Sequence, residues 1–163
     1  MAPPLRIRCR AALTVLPVGA AFGSVTAARL WGLPLPTRYR SDEPLHVVVF
    51  APTRAPERPG VIGRQVADRA VTTVTAKGLP TVDLRSLFCH LGQVLSIPDL
   101  VAVGDALILD PAVPTRHRPY TISEALAERV LAYRWRGKGT ALRALPHVRP
   151  GAESRPETLV RLA

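Results

Sequence analysis

Two glutamates near the end of the chain have a spacing that metal-assisted hydrolysis can use. Glu153 and Glu157 are four residues apart, so a helix over this segment places both carboxylates on one face. A metal-dependent nuclease needs carboxylates in such a position to help hold a divalent ion. The pair alone is not a site, because the other ligands and a lysine would have to come from following strands, and the chain ends six residues after Glu157. We therefore expect no complete catalytic site.

The other residues that could act as nucleophiles, bases or metal ligands are scattered along the chain. The four histidines are His46, His90, His117 and His147. None has a cysteine, serine or carboxylate at a spacing specific for a catalytic triad or a metal site, so we expect packed or solvated side chains. Cys9 and Cys89 lack a CxxC pattern, which predicts two small buried hydrophobic side chains rather than a disulfide or metal site.

The carboxylates of the first helical region do not form a cluster either. They belong to Asp83, Asp99, Asp105 and Asp110. Asp99 and Asp105 are not at a same-face spacing, and we expect Asp99 to cap a helix and Asp83 to open one. The phosphate-binding and hydrolase motifs GxGxxG, HExxH, GxSxG and the P-loop are absent. We expect a protein that is not an enzyme and has no cofactor, no metal and no small-molecule substrate.

The densest positive region follows a predicted helix and has a tryptophan, Trp135, within it. Its basic residues are Arg134, Arg136, Lys138, Arg143 and Arg149, with His147 nearby. Two interpretations stay open. Arginine forks with an interleaved aromatic ring are typical of a phosphate-contacting surface. Cations after a helix also complement its dipole and are then solvated, and we favour this structural interpretation.

The composition leaves the same question open. The net charge is +10, and 20 of the 22 basic residues are arginine. This bias fits a protein that binds nucleic acid, but a G+C-rich genome produces the same bias without any such function. Composition therefore leaves DNA as one candidate partner, and we expect no membrane partner.

Hydrophobic periodicity and turn residues predict an α+β fold with N-terminal helices, a small antiparallel sheet and a helical C-terminal half. The helices of the first part are Leu5–Leu16 and Val25–Trp31, the second capped by Ser24. The strand candidates are Leu45–Phe50, Val61–Val66, Ala70–Thr75 and Leu79–Val82. Capping-box patterns begin at Ser96, Thr121 and Ser154, each with a carboxylate three residues later. The helix from Ile122 should pack along the stripe Ala125, Leu126, Val130 and Tyr133.

The N-terminus resembles a secretory signal, which is an alternative to a folded start. Arg6, Arg8 and Arg10 precede the apolar stretch Ala11–Val25, and small residues follow. Pro17 and Gly19 interrupt the stretch, and no run of about 18 uninterrupted apolar residues occurs, so a spanning helix is not expected. We expect a cytoplasmic protein.

Five segments, taken in order, resemble a known group of bacterial proteins. They are Arg8–Leu13 (RCRAAL), Thr26–Leu33 (TAARLWGL), Leu45–Val49 (LHVVV), Leu100–Leu107 (LVAVGDAL) and Arg149–Thr158 (RPGAESRPET). Together they resemble the AbiEi type IV antitoxin-like group, many of whose members carry a C-terminal domain similar to very-short-patch-repair endonucleases. The resemblance extends over most of the chain, from about Arg8 to Arg161.

The resemblance implies a winged helix that binds DNA, a middle α+β region, and a nuclease-like fold whose first helix carries an ES-x-x-ET pattern. Glu153 and Glu157 match that pattern. The winged helix expected before Arg8 and the nuclease strands expected after Ala163 are missing. The expected domains are thus 1–44, an N-terminal helical segment; 45–150, an antitoxin-like α+β domain; and 151–163, the first-helix remnant of an endonuclease-like domain.

The expected function is that of a non-catalytic antitoxin-like protein that binds DNA, a toxin partner, or both. The helix Val25–Trp31 could enter a DNA groove, although its apolar residues are also typical of a core helix. The alternative is an incomplete fragment of a very-short-patch-repair-like endonuclease, inactive as it stands.

Overall fold

The computed structural model describes residues 3–110 and 118–163. Within these residues the chain forms seven helices and a six-stranded mixed sheet, which confirms the predicted α+β class. Contacts between residues divide the chain into two compact units. Unit 1 consists of residues 3–32 and 37–83 and contains the whole sheet; unit 2 consists of 33–36, 84–110 and 118–163 and contains the later helices. No helix of the described residues is long and apolar enough to cross a membrane.

The sheet of unit 1 uses the predicted strands and two short additional ones. Its strands are β1 (Ala21–Phe22), β2 (Leu45–Phe50), β3 (Glu57–Arg58), β4 (Val61–Val66), β5 (Thr73–Ala76) and β6 (Leu79–Val82). They are arranged in the order β3-β4-β2-β1-β6-β5. Lys77 and Gly78 form the two-residue loop between β5 and β6, with φ of 51° and 77°. Positive φ at both positions is the type I′ geometry that matches the twist of a hairpin.

The prediction of an antiparallel sheet is wrong for two of its five strand pairs. β2 pairs with β4 in parallel, with Leu45 opposite Val61, and β1 pairs with β6 in parallel. The ten residues 51–60 between β2 and β4 are not a hairpin turn. At about 3.3 Å per extended residue they can carry the chain back along a whole strand. β3, antiparallel to β4, lies on this return path, so β4 begins at the same end of the sheet as β2.

Two N-terminal helices contribute to the core of unit 1. They are α1 (Leu5–Leu13) and α2 (Ser24–Leu30), which supply buried Cys9 and Leu30 to a cluster with strand residues. The strand and loop residues of this cluster are Ala20, Phe22, Leu45, Val47, Val49, Ala76 and Leu79. Ala27 and Ala28 of α2 are fully buried. Of the two interpretations of this helix, the structure therefore favours a core helix over one that enters a DNA groove.

The start of α2 differs from the predicted Ser24 cap. Ser24 is the first helical residue and has a φ of 46°, while Gly23 occupies the cap position, without a side-chain hydrogen bond. Gly23 N donates to His46 O at 3.0 Å. A Cβ at Gly23 would lie 2.7 Å from Val48 Cγ2, so the close approach of this turn to β2 requires glycine.

Unit 2 consists of helices. They are α3 (Leu84–Leu91), α4 (Ile97–Ile108), α5 (Ser123–Ala132), α6 (Lys138–Ala144), a 3₁₀ turn (Leu145–His147) and α7 (Arg155–Leu162). α4 is buried along most of its length. Of the predicted stripe of α5, Leu126, Val130 and Tyr133 are buried and Ala125 is half-buried.

The serine caps of two of the three predicted capping boxes are present. Ser96 Oγ accepts from Asp99 N at the start of α4, and Ser154 Oγ accepts from Glu157 N at the start of α7. The box at Thr121 is wrong: Ile122 is the cap residue of α5, and no side chain caps it. The helix begins one residue later than the pattern requires, so Thr121 lies outside capping reach.

The compact units do not coincide with the expected boundaries at 44 and 150. β1, inside the expected N-terminal segment, pairs with both β2 and β6, so residues before 45 share the core of the sheet. At the other end, α7 packs on α4 within unit 2. The main division follows Asp83, where the sheet ends and the helices begin.

Candidate nucleic-acid interface

The predicted basic region forms a tight turn between α5 and α6. Tyr133 is the cap residue after α5, and its ψ of 137° lies outside the helical range. Gly137 is the cap residue before α6 and has a φ of 95°. Tyr133 Oη donates to Arg136 O at 2.9 Å, which closes the turn across its base. Residues 134–136 are exposed. We refer to Tyr133–Gly137 as the basic turn.

Close packing against α3 fixes the end of the basic turn. A Cβ at Gly137 would lie 2.5 Å from Cys89 O and 3.1 Å from Gln93 N. Because Gly137 also has a positive φ, both its conformation and its surroundings favour glycine. Gly92 makes the reciprocal approach, since a Cβ there would overlap Gly137 O. The turn is therefore held at a fixed position on the surface of unit 2.

Aromatic and cationic side chains stack on the inner side of the basic turn. Arg129 Cζ lies over the Tyr133 ring, 5.4 Å from its centroid, and Arg129 Nε donates to Ser86 Oγ at 3.1 Å. The rings of His90 and Trp135 lie 5.9 Å and 5.6 Å from the Tyr133 ring, both tilted. Tyr133 is buried, whereas Trp135 is 44% exposed. The buried Tyr133 ring thus packs against the half-exposed indole of Trp135.

The five predicted basic residues fall into two groups. Lys138 Nζ donates to Leu131 O at 2.8 Å, and Arg149 Nη1 donates to Pro146 O at 2.7 Å and Val148 O at 2.9 Å. These two side chains satisfy carbonyls at the ends of α5 and of the 3₁₀ turn, as the structural interpretation requires. Arg134, Arg136 and Arg143 are exposed, and across residues 3–110 and 118–163 none of their guanidinium groups has an ion pair or hydrogen bond.

Glu157 lies in the first turn of α7, but Glu153 precedes the cap residue Ser154, so the predicted placement of both carboxylates on one helix face is wrong. Glu157 Oε1 accepts from Ser154 Oγ at 2.7 Å, and Oε2 accepts from Glu153 N at 3.0 Å. These hydrogen bonds, that from Ser154 first, lower the pKa of the Glu157 carboxyl. Glu153 is exposed. In the described part of the chain, no three His, Cys, Asp or Glu side chains are grouped to hold a metal ion.

Asp105, which sequence reasoning did not single out, organises unit 2. Its side chain is buried, and Oδ1 accepts from Arg149 N at 2.7 Å. Oδ2 accepts from Thr158 Oγ1 at 2.7 Å and from Arg161 Nη2 at 2.6 Å. The only local signal is a carboxylate within the apolar run LVAVGDALI, because a buried carboxylate requires partners. Those partners lie 44 to 56 residues away in the sequence.

A second ion pair reinforces the attachment of α7. Arg155 Nε donates to Asp99 Oδ1 at 2.8 Å, so Asp99 acts both in the expected cap and as a partner of α7.

Asp83, predicted to open a helix, precedes α3, and its Oδ2 accepts from Thr72 N at 2.9 Å. Its carboxylate therefore binds the backbone beside β5, at the end of the sheet.

The histidines and cysteines within residues 3–110 and 118–163 are not grouped in a metal site. His46 lies on β2; burial, followed by nearby Arg64, lowers its pKa. Its Nδ1 is buried and has no hydrogen-bond partner in the described structure. Cys9 and Cys89 are buried and are not joined in a disulfide, which confirms their predicted role as small core residues. His117 lies outside the described residues.

Comparison with known proteins gives no relative. No protein-family model matches the chain, and no curated protein or solved structure matches it significantly. The resemblance to AbiEi antitoxin-like proteins stays a prediction from the sequence segments.

Proposed function

We propose that this chain is a non-catalytic, antitoxin-like protein that binds DNA through unit 2. The observation that carries the proposal is the exposure of Arg134, Arg136 and Arg143 without an acidic partner in the described structure. Some other arginines are engaged by carboxylates: Arg29 forms a bidentate pair with Glu43, and Arg161 binds Asp105. A guanidinium without a carboxylate partner remains available for a phosphate.

The fixed shape of the basic turn supports the same proposal. Arg134 and Arg136 extend from a segment held by the Tyr133 Oη bond and by the packing of Gly137 on α3. The backbone therefore loses little conformational freedom when the side chains bind. The net charge of +10 adds a long-range attraction for a polyanion.

The antitoxin-like assignment and the toxin partner rest on the sequence resemblance. The alternative of a nuclease fragment rests on Glu153 and Glu157. Glu157 Oε1 and Oε2 accept hydrogen bonds from Ser154 Oγ and Glu153 N. The geometry therefore favours a capping role for Glu157, and we propose binding without catalysis.

The test is binding of the whole chain to mixed-sequence duplex DNA across a salt series, with the variant Arg134→Gln/Arg136→Gln/Arg143→Gln. Each phosphate contact contributes about −0.9 to the slope of log affinity against log salt. We expect the variant to flatten that slope by roughly 2 to 3 and to weaken binding about tenfold or more at low salt.

A matched control removes the same charge from unit 1. Arg6, Arg10 and Arg69 are also exposed, so Arg6→Gln/Arg10→Gln/Arg69→Gln changes the net charge equally. Equal losses in both variants would mean that only the overall charge matters. Absence of binding by the unmodified chain at low salt would reject the DNA proposal and favour a protein partner.

A further inference from the structure

Trp135 is the exposed aromatic residue of the basic turn, and its surroundings restrict its motion. Its ring centroid lies 5.6 Å from that of buried Tyr133, with an interplanar angle of 51°. Tyr133 is in turn held by its bond to Arg136 O and by Arg129 over its face. An indole already supported on one side loses little entropy when a second flat group covers its exposed side.

The other tryptophan shows what a structural indole looks like in this chain. Trp31 packs against the core of unit 1, and its Nε1 donates to Thr81 Oγ1 at 3.0 Å. Trp135 instead lies in a turn and exposes 44% of its surface between two exposed arginines. The exposed part of a half-exposed tryptophan ring is apolar surface in contact with water. A flat ligand bound over the ring would bury that surface, which is favourable.

The segment Arg134-Trp135-Arg136 provides two kinds of side chain that bind a nucleic-acid strand, namely guanidinium groups and an indole ring. Guanidinium groups bind phosphates, and an indole stacks on the face of a base. In a duplex both faces of each internal base are covered by neighbouring bases, so stacking on Trp135 would require unstacking first. In a single strand the base faces are accessible without that cost.

We infer that the basic turn is a binding site for single-stranded DNA, in which Trp135 stacks on an unpaired base while Arg134 and Arg136 contact the adjoining phosphates. This inference rests on the proposed function and specifies its ligand. The site binds a single strand more tightly than a duplex of the same length, and binding involves no covalent step.

The experiment compares binding of a fluorescein-labelled oligo-dT strand with that of a dA·dT duplex of equal length, using anisotropy and the full chain. Trp135→Ala should weaken single-strand binding about tenfold, within the range of one lost stacking contact, and leave duplex binding almost unchanged. Trp135→Phe should restore most of the loss. Leu131→Ala is the matched control, because Leu131 is an exposed apolar residue at the end of α5.

Tryptophan fluorescence gives an independent reading of the stacking contact. We expect unlabelled oligo-dT to quench the emission of the unmodified chain and not that of Trp135→Phe, which keeps Trp31. Urea midpoints of the variants within experimental error of the unmodified chain would show that their folding is intact.

The outcomes separate this inference from the proposed function. Unchanged single-strand binding by Trp135→Ala, or equal losses for strand and duplex, overturns the stacking site while the DNA proposal stands. Binding to neither nucleic acid at low salt rejects both. Selective loss on the single strand, with rescue by Trp135→Phe, supports the stacking site.

Discussion

Thr158 Oγ1 donates a 2.7 Å hydrogen bond to Asp105 Oδ2, and this bond joins α7 to the buried face of α4. Arg161 binds the same oxygen at 2.6 Å. Both Thr158 and Asp105 are 1% exposed. Because the contact is fully buried, α7 is an integral part of unit 2.

Asp105→Asn should destabilise unit 2. The amide keeps the shape of the side chain but removes the negative charge that Arg161 and Thr158 contact. We expect this loss to lower the free energy of unfolding by about 2–3 kcal/mol. Urea unfolding followed by circular dichroism measures the change. Asp99→Asn, which affects the more exposed pair with Arg155, should cost only about 1 kcal/mol or less. Equal costs for the two variants would contradict the central role of Asp105.

Glu157→Ala should lower the urea midpoint more than Glu153→Ala. The Glu157 carboxylate accepts hydrogen bonds from Ser154 Oγ and Glu153 N, whereas Glu153 contributes its backbone N–H, which alanine keeps. Because these bonds lower the pKa of Glu157, their stabilising effect should be present above pH 4.5, its ordinary value, and fade as the pH falls below it. A larger effect of Glu153→Ala would be inconsistent with this cap.

Gly137→Ala should destabilise the basic turn. The substitution forces a Cβ toward Cys89 O, 2.5 Å away, at a positive φ, at a cost of about 2–4 kcal/mol. Gly139→Ala, two residues further in α6, meets no atom within 4 Å and should be neutral or gain up to about 1 kcal/mol. Thermal and urea unfolding of both variants measure this difference. A neutral Gly137→Ala would mean that the turn can move away from α3.

Acidification should destabilise unit 1 through His46. Burial, and secondarily Arg64, lowers the pKa of His46 in the folded state below its ordinary value of 6.5. The unfolded chain therefore takes up a proton first, so stability falls as the pH drops below 6.5. His46→Gln should reduce this slope, measured by urea unfolding between pH 7.5 and pH 5. Identical slopes in the variant and the unmodified chain would exclude His46 as the cause.

Cys9 should resist thiol reagents in the folded chain. Burial raises its pKa from 9.0 to about 11, despite the opposing effect of Arg8. At pH 8 its thiolate fraction is thus about 100-fold smaller than that of an ordinary thiol, and its burial also blocks access. Iodoacetamide labelling followed by peptide mass spectrometry should show modification of Cys9 only after unfolding in urea. Rapid labelling without urea would show that α1 opens readily.

The sequence was sufficient for the elements formed by local patterns. The strands Leu45–Phe50 and Val61–Val66 have the predicted bounds, and the caps at Ser96 and Ser154 are present. β-branched runs and capping boxes act within a few residues, so their signals are contained in short stretches of sequence. The exposed basic turn was also located correctly, because a charge-rich segment after a helix is typically solvated.

Tertiary structure decided which of these residues meet. The parallel pairing of β2 and β4 depends on the path of residues 51–60, and the partners of Asp105 come from 44 to 56 residues away. Only packing showed that Lys138 and Arg149 bind carbonyls while the guanidinium groups of Arg134 and Arg136 have no partner in the described chain. Composition gives every arginine the same charge, but the position of nearby acceptors in space determines which of them remain available to a ligand.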